Sequence, residues 1–152
     1  MQGQYWTMLA LGAVSAVLLL LGLTNLVVAT MPWAHTGLHV RVSGVYPYDR
    51  ESGRVSGSPR RKFPQGRTFA ARVNWSSLPS GLNVGAAWYD DNETQVAAIT
   101  PAAAGDLAAR HATVPMTDTN APPGAYTVLV MHYVDGRPIE ILGRTTVRIT
   151  RR

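Results

Sequence analysis

The segment Pro123–Val134, with the sequence PGAYTVLVMHYV, decides the fold of this 152-residue chain. Every second residue lies on one face of an extended strand, and that face carries Tyr126, Val128, Val130, His132 and Val134. Such alternation over a short run predicts a strand with one buried side. A Pro-Gly pair opens the run and an Asp-Gly pair follows it, and both pairs are turn signals. The segment is therefore predicted to be a core strand bounded by tight turns.

Patterns with the same period recur on both sides of this segment. They cover Leu38–Val45, Phe69–Trp75, Leu82–Tyr89, Gln95–Ile99, Arg110–Val114 and Ile139–Ile149, the last with an expected bulge at Gly143 that keeps Ile139, Ile141, Val147 and Ile149 on one face. Residues 101–109 are expected to form either a short helical turn or a plain loop. About seven short strands without a long amphipathic helix predict an all-β, antiparallel sandwich.

Three features of residues 68–150 resemble an immunoglobulin-like or fibronectin-type domain. Trp88 stands on the third strand of this region, where such domains place a core tryptophan, and Tyr126 resembles their corner tyrosine. Val73 and Val128 occupy the places where antibody domains carry paired cysteines. The resemblance implies an immunoglobulin-like sandwich with these four residues in its core. Apolar packing alone is expected to hold its sheets together, because the chain has no cysteine.

An uncharged N-terminal region precedes the predicted strands. Residues 8–30, MLALGAVSAVLLLLGLTNLVVAT, form an apolar run long enough to cross about 30 Å of hydrocarbon. Tyr5, Trp6 and Trp33 flank this run, as aromatic residues at a membrane interface do. A cleaved signal peptide is the alternative, with a cleavage site near Ala29. The absence of Lys and Arg before the run favours a retained, single transmembrane helix.

Small residues form a stripe on this predicted helix. The stripe and the polar residue beside it are Gly12, Ser15, Ala16, Gly22 and Asn25. Small side chains allow close approach of a second helix, and an asparagine can hydrogen-bond to it, so a partner helix is predicted. The expected location is the cell (inner) membrane, with the globular domain on the extracytoplasmic or periplasmic side. Arg41 and Arg50 follow the helix, and a simple count of positive charges would favour the opposite orientation.

The chain is thus expected to comprise a tail and transmembrane helix (residues 1–34), a first strand and loop (35–67) and a sandwich body (68–152). The loop at residues 48–67 is rich in Gly, Ser, Pro and Arg, and it contains the dense basic cluster Arg60, Arg61 and Lys62. This cluster could bind anionic lipid headgroups, bind an acidic face of a neighbouring subunit, or lie in a solvated loop. Nucleic acid is not an expected partner, because aromatic residues are not interleaved with the basic ones.

No motif for catalysis or cofactor binding is present in the sequence. Without cysteine, thiol nucleophiles, cysteine-ligated metals and disulfide scaffolds are excluded. The four histidines are not spaced as metal ligands, and neither a P-loop nor a G-x-S-x-G motif occurs. The acidic run at residues 90–93 is expected to be an exposed turn. We therefore expect no catalytic, cofactor-binding or metal-binding residue, and no enzymatic activity.

These observations predict a non-catalytic, single-span accessory subunit of a larger membrane protein complex, such as a respiratory or photosynthetic assembly. Its helix would anchor it in the lipid bilayer, and its sandwich would brace neighbouring membrane-protein subunits. Two alternatives stay open. One is a surface-displayed, immunoglobulin-like module that binds a ligand or glycan through loops such as Ser76–Gly81 and Asp90–Thr94. The other is a pilin-like filament subunit, although no acidic residue occurs early in the apolar helix.

Overall fold

The computed structural model describes residues 36–110 and 112–151. The predicted transmembrane helix falls in residues 1–35, outside the described residues. The same holds for the predicted helix-packing and membrane-interface residues, namely Gly12, Ser15, Ala16, Gly22, Asn25, Tyr5, Trp6 and Trp33. Within the two described ranges, no helix combines the length and the apolar character that a bilayer crossing requires.

Ten strands occur in the described ranges, together with a short α-helix and a 3₁₀ turn at Trp75–Ser77. The strands are β1 (Val42–Asp49), β2 (Arg54–Val55), β3 (Lys62–Pro64), β4 (Phe69–Val73), β5 (Asn83–Tyr89), β6 (Gln95–Ala98), β7 (Ala102–Ala103), β8 (Thr113–Met116), β9 (Gly124–Val134) and β10 (Arg137–Thr150). The helix α1 (Ala104–Arg110) confirms the helical option for residues 101–109. Because Arg110 ends this helix, the strand expected from Arg110 begins only at Thr113.

The strands form two sheets that share one apolar core. The smaller sheet has the order β2-β1-β4-β8, and the larger has the order β3-β10-β9-β5-β6, with β7 paired to β5. Neighbouring strands are antiparallel except for β3, which runs parallel to β10. The predicted all-β, sandwich-like architecture is confirmed at this level.

Aromatic side chains from both sheets meet in the core. Phe63 of the larger sheet stacks on Phe69 of the smaller one with ring centroids 4.6 Å apart, and Phe69 meets the edge of Trp88 at 5.3 Å. The indole Nε1–H of Trp88 donates to the carbonyl of Val114 across the sheets at 3.1 Å. The residues expected in the core, Val73, Trp88, Tyr126 and Val128, are each at most 3% exposed. At the end of β9, Val134 leaves the predicted buried face and is 44% exposed.

The alternation along β10 is interrupted twice. Its register against β9 shifts at residues 138–140 and again at 141–143, and the second shift lies at the expected bulge. Between the shifts, Ile141 is 55% exposed whereas Leu142 is only 2% exposed. Each bulge inserts a residue and reverses the alternation of side chains. The expected common face is therefore wrong at Ile141, because Leu142 takes the place in the core.

The three strands that precede β4 are divided between the sheets: β1 and β2 lie in the smaller sheet, and β3 lies in the larger one. The strand expected at Leu38–Val45 begins later, at Val42, and continues to Asp49 within the smaller sheet. The loop that follows contains β2 and β3, neither of which was expected, because strands of two or three residues carry no readable period. Residues 36–67 and the rest of the described chain are thus joined by hydrogen bonds in both sheets.

A strap, residues 36–40, enters the fold along the edge of β10. Glu140 accepts hydrogen bonds from the Thr36 amide at 3.0 Å and from the Thr36 hydroxyl at 2.7 Å. At the other end of the strap, the Val40 amide donates to the Leu142 carbonyl at 3.0 Å. These three bonds fix the path by which the chain enters the sandwich.

We expect Glu140→Ala to lower the free energy of unfolding by about 1 kcal/mol, because two hydrogen bonds to its carboxylate are lost. His132, whose Nδ1 lies 3.9 Å from the carboxylate and is buried without a hydrogen-bond partner among the described residues, would also lose its nearest anion. Denaturant unfolding of the full chain in mild detergent measures this change. Glu51→Ala, which removes an exposed carboxylate, is the control and should change little. Equal effects of the two substitutions would refute the assigned role of Glu140.

Candidate functional site

Five cationic residues gather along one margin of the larger sheet, here called the basic edge. They are Arg60, Arg61, Lys62, Arg144 and Arg148, and all five are exposed. The first three are the predicted basic cluster, and Lys62 lies beside Arg148 in the parallel pairing of β3 with β10. The fold therefore adds two cations of β10 to the cluster that is visible in the sequence.

The backbone of the basic edge is held on both sides. The Arg60 amide donates to the Val45 carbonyl at 2.7 Å, and the Arg148 amide donates to the Arg61 carbonyl at 2.9 Å. The next side chain along β3, Phe63, is 2% exposed and packs in the core. The backbone of the three predicted residues is thus part of a bonded sheet margin, which fixes where their side chains leave the fold.

The positive charges of the basic edge are not neutralised within the described part of the chain. There, the one ion contact joins His132 and Glu140, away from these residues. Lys62 and Arg148 are neighbours with the same charge, and like charges side by side on a sheet reduce its stability. An acidic surface placed against the edge would relieve this repulsion and would be attracted to it over several ångströms. The edge is therefore suited to binding a negatively charged partner.

Arg144 and Arg148 lie outside the cluster that the sequence predicts. Their exposure can be read from the sequence, because they alternate with the inward residues Val147 and Ile149. The proximity of Arg148 to Lys62 cannot be read from the sequence, since it depends on a pairing between distant parts of the chain.

The acidic run at residues 90–93 forms a turn between β5 and β6. One carboxylate oxygen of Asp90 accepts the amides of Asn92 and Thr94, each at 2.9 Å. Asp91 accepts the amide of Ala125 at 3.0 Å and so ties the turn to the start of β9. In the described ranges, no group of three or more His, Asp or Glu side chains is arranged to hold a metal ion. These carboxylates stabilise the turn through their backbone contacts.

Compared with known proteins, the chain matches no protein-family model and no curated protein sequence.

Proposed function

We propose that this chain is a non-catalytic, single-span accessory subunit of a larger membrane protein complex. The uncharged apolar residues 8–30 supply its anchor, and the sandwich binds an acidic face of a neighbouring subunit. The observation that carries the proposal is the basic edge, where five exposed cations stand on a bonded margin without acidic partners in the described ranges. Electrostatic complementarity of this kind orients partners and selects among them.

We also propose that the sandwich is of the immunoglobulin-like type. Within the two sheets, the order β1-β4-β8 opposite β10-β9-β5 corresponds to the A-B-E and G-F-C arrangement of such domains, and β2, β3 and β6 are added at the sheet edges. Trp88 on β5 lies at the centre of the core. The hydroxyl of Tyr126 donates to the Pro122 carbonyl at 2.9 Å, which is the bond expected of a corner tyrosine. The chain departs from the antibody pattern in having no cysteine pair.

Tyr126, the corner tyrosine, makes the stability of the folded state depend on pH in the alkaline range. Burial raises the pKa of Tyr126 above its ordinary value of 10.0, and the charges of Asp90, Asp118 and Asp91 raise this pKa further. The folded state therefore favours the protonated phenol. Its contribution to stability is complete below the unfolded pKa and is lost as pH rises through the higher folded pKa.

We expect Tyr126→Phe to lower the free energy of unfolding by about 1 kcal/mol at neutral pH, because the bond to Pro122 is lost. The difference between wild type and variant should shrink above about pH 10, where only the wild type must ionise this buried phenol. Unfolding of both proteins at neutral and alkaline pH tests this expectation. A difference that stays constant across the whole pH range would contradict it.

Purification of the full chain in mild detergent tests the proposed function. We expect the chain to migrate with other membrane proteins, at a mass well above its own 16.4 kDa. Migration alone, at the mass of one chain, would overturn the proposal.

Charge reversal then tests whether the basic edge makes the contact. The paired change Lys62→Glu and Arg148→Glu should reduce the recovered partner at least tenfold. The matched control, Arg50→Glu and Arg137→Glu, makes the same change in net charge at exposed positions outside the basic edge and should leave recovery unchanged. Equal loss of partner in both proteins would show that net charge, not the edge, determines binding.

A further inference from the structure

A cleft of about 300 Å³ lies between β1 and β10, where the margins of the two sheets separate. The polar residues that line it come from three parts of the chain that are distant in sequence. They are Ser43 of β1, Arg60 and Arg61 of the segment before β3, and Thr145 and Thr146 of β10. The cleft is therefore lined by two arginines and by three residues that carry hydroxyl groups, of which Thr146 shares its hydroxyl with Thr127 of β9.

The cleft lies between two places where the N-terminal part of the described chain contacts the edge of β10. The strap leaves this edge after Val40, and the chain returns to it at Arg61. At one end of the gap, the Val40 amide is bonded to the Leu142 carbonyl, and at the other end the Arg148 amide is bonded to the Arg61 carbonyl. Between these two contacts the chain crosses to the smaller sheet and forms β1. The few residues of β10 between the contacts give too short an edge for an added peptide strand, but they leave room for a small ligand.

The walls of the cleft are held close together. Gly44 has a φ angle of +149°, and a Cβ atom on it would lie 2.7 Å from the Cβ of Pro59. One residue further along both segments, the Arg60 amide donates a hydrogen bond of 2.7 Å to the Val45 carbonyl. Only glycine allows this approach of the returning segment to β1. The backbone that carries both arginines is thus fixed against the opposite wall.

A backbone donor also faces the gap. The Arg148 amide points away from β9, towards Arg61. The register between β9 and β10 is regular over residues 143–149, so the Thr146 amide, two residues earlier, points the same way. The contact of 2.8 Å between the Thr127 and Thr146 hydroxyls fits this geometry, because side chains approach most closely at pairs that share no backbone hydrogen bonds.

We propose that this cleft binds a phosphate-type oxyanion, either free phosphate or the phosphate of a lipid headgroup. Guanidinium groups form paired, charge-assisted hydrogen bonds with phosphate oxygens, and hydroxyl and amide donors satisfy the remaining oxygens. No Asp or Glu is among the residues that line the cleft in the described ranges. Its volume is at the small end for ligand sites, which suits a phosphate group and excludes a large cofactor.

Titration of the full chain in mild detergent with inorganic phosphate tests the proposal, with hydrogen exchange at the Thr146 amide as the readout. We expect saturable binding, slower exchange at this amide, and at least a tenfold weaker affinity in the double variant Arg60→Gln and Arg61→Gln. The matched control, Arg54→Gln and Arg67→Gln, removes the same charge outside the cleft lining and should bind within twofold of wild type. Thr145→Val removes one lining hydroxyl with little change of shape, and should weaken binding even if the double variant fails to fold.

A parallel arm uses the full chain reconstituted in phosphatidylglycerol or phosphatidylcholine vesicles and the same exchange readout. Protection by free phosphate identifies a soluble anion as ligand, whereas protection that needs vesicles and no added phosphate identifies the lipid phosphate, in phosphatidylglycerol alone if an anionic surface is also required. Absence of protection in both arms, or equal weakening in the control and cleft variants, would overturn the proposal. A chain that migrates alone can still bind phosphate, so this result is independent of the proposed accessory function.

Discussion

Trp88→Ala is expected to lower the free energy of unfolding by about 3–5 kcal/mol, the usual cost of removing a large aromatic side chain from a core. Trp88 is fully buried, and its ring contacts Phe69 of the opposite sheet. The substitution also removes the indole N–H that satisfies the Val114 carbonyl. Because a domain is stable by only about 5–15 kcal/mol, the variant would be close to unfolding.

Hydrogen exchange of the strand amides in the full chain measures this loss, since the most protected amides exchange by global unfolding. Trp88→Phe should lie between wild type and the alanine variant, because an aromatic ring remains while the bond to Val114 is lost. Val96→Ala, at a position 37% exposed, should change stability by less than about 0.5 kcal/mol. If Trp88→Ala lowered the free energy of unfolding no more than Val96→Ala, the assignment of Trp88 to the centre of the core would be wrong.

Gly143→Ala is expected to lower the free energy of unfolding by about 1–3 kcal/mol, as overpacked positions do. A Cβ atom at this bulge would lie 2.5 Å from the Val40 carbonyl oxygen and 2.9 Å from the Val40 Cγ1. The strap cannot withdraw without losing its bond to Leu142. The added methyl group therefore has to displace either the strap or β10.

Limited proteolysis of the strap, together with thermal unfolding, tests the effect of Gly143→Ala. We expect faster cleavage within residues 36–40 and a lower midpoint temperature. Gly81→Ala is the matched control, because a Cβ atom at Gly81 meets nothing within 4 Å and its φ angle is not in the left-handed region. Equal cleavage rates and midpoint temperatures in the two variants would show that the close approach of Val40 does not exclude a side chain at position 143.

The sequence predicts those strands whose alternation is long and unbroken. In β9, the buried face from Tyr126 to His132 follows from a period of two alone. In β10 the same reasoning fails at Ile141, because two bulges reverse the alternation and a bulge leaves no unique mark in sequence. β3 is missed altogether, since three residues are too few to establish a pattern and its pairing with β10 is not local.

The candidate site could be predicted only in part for the same reason. Arg60, Arg61 and Lys62 are adjacent in sequence, so their cluster is visible directly. The cations of β10 join them only because β3 lies alongside, and the cleft depends on where the chain leaves β10 and returns to it. Predicting either feature requires knowledge of the sheet order, which composition and periodicity do not contain.

The parallel pairing of β3 with β10 has a mechanical consequence. Tension applied between Arg61 and the C-terminal end of β10 would pull these strands in opposite directions along their common axis, because the two strands are parallel and would be held at opposite ends. The bonds from the Arg148 amide to Arg61 and from the Gln65 amide to Thr150 would then bear the load together, in shear. A hairpin pulled from its open end yields one bond at a time. The pairing of β3 with β10 should therefore resist such a load better than a hairpin that is pulled from its open end.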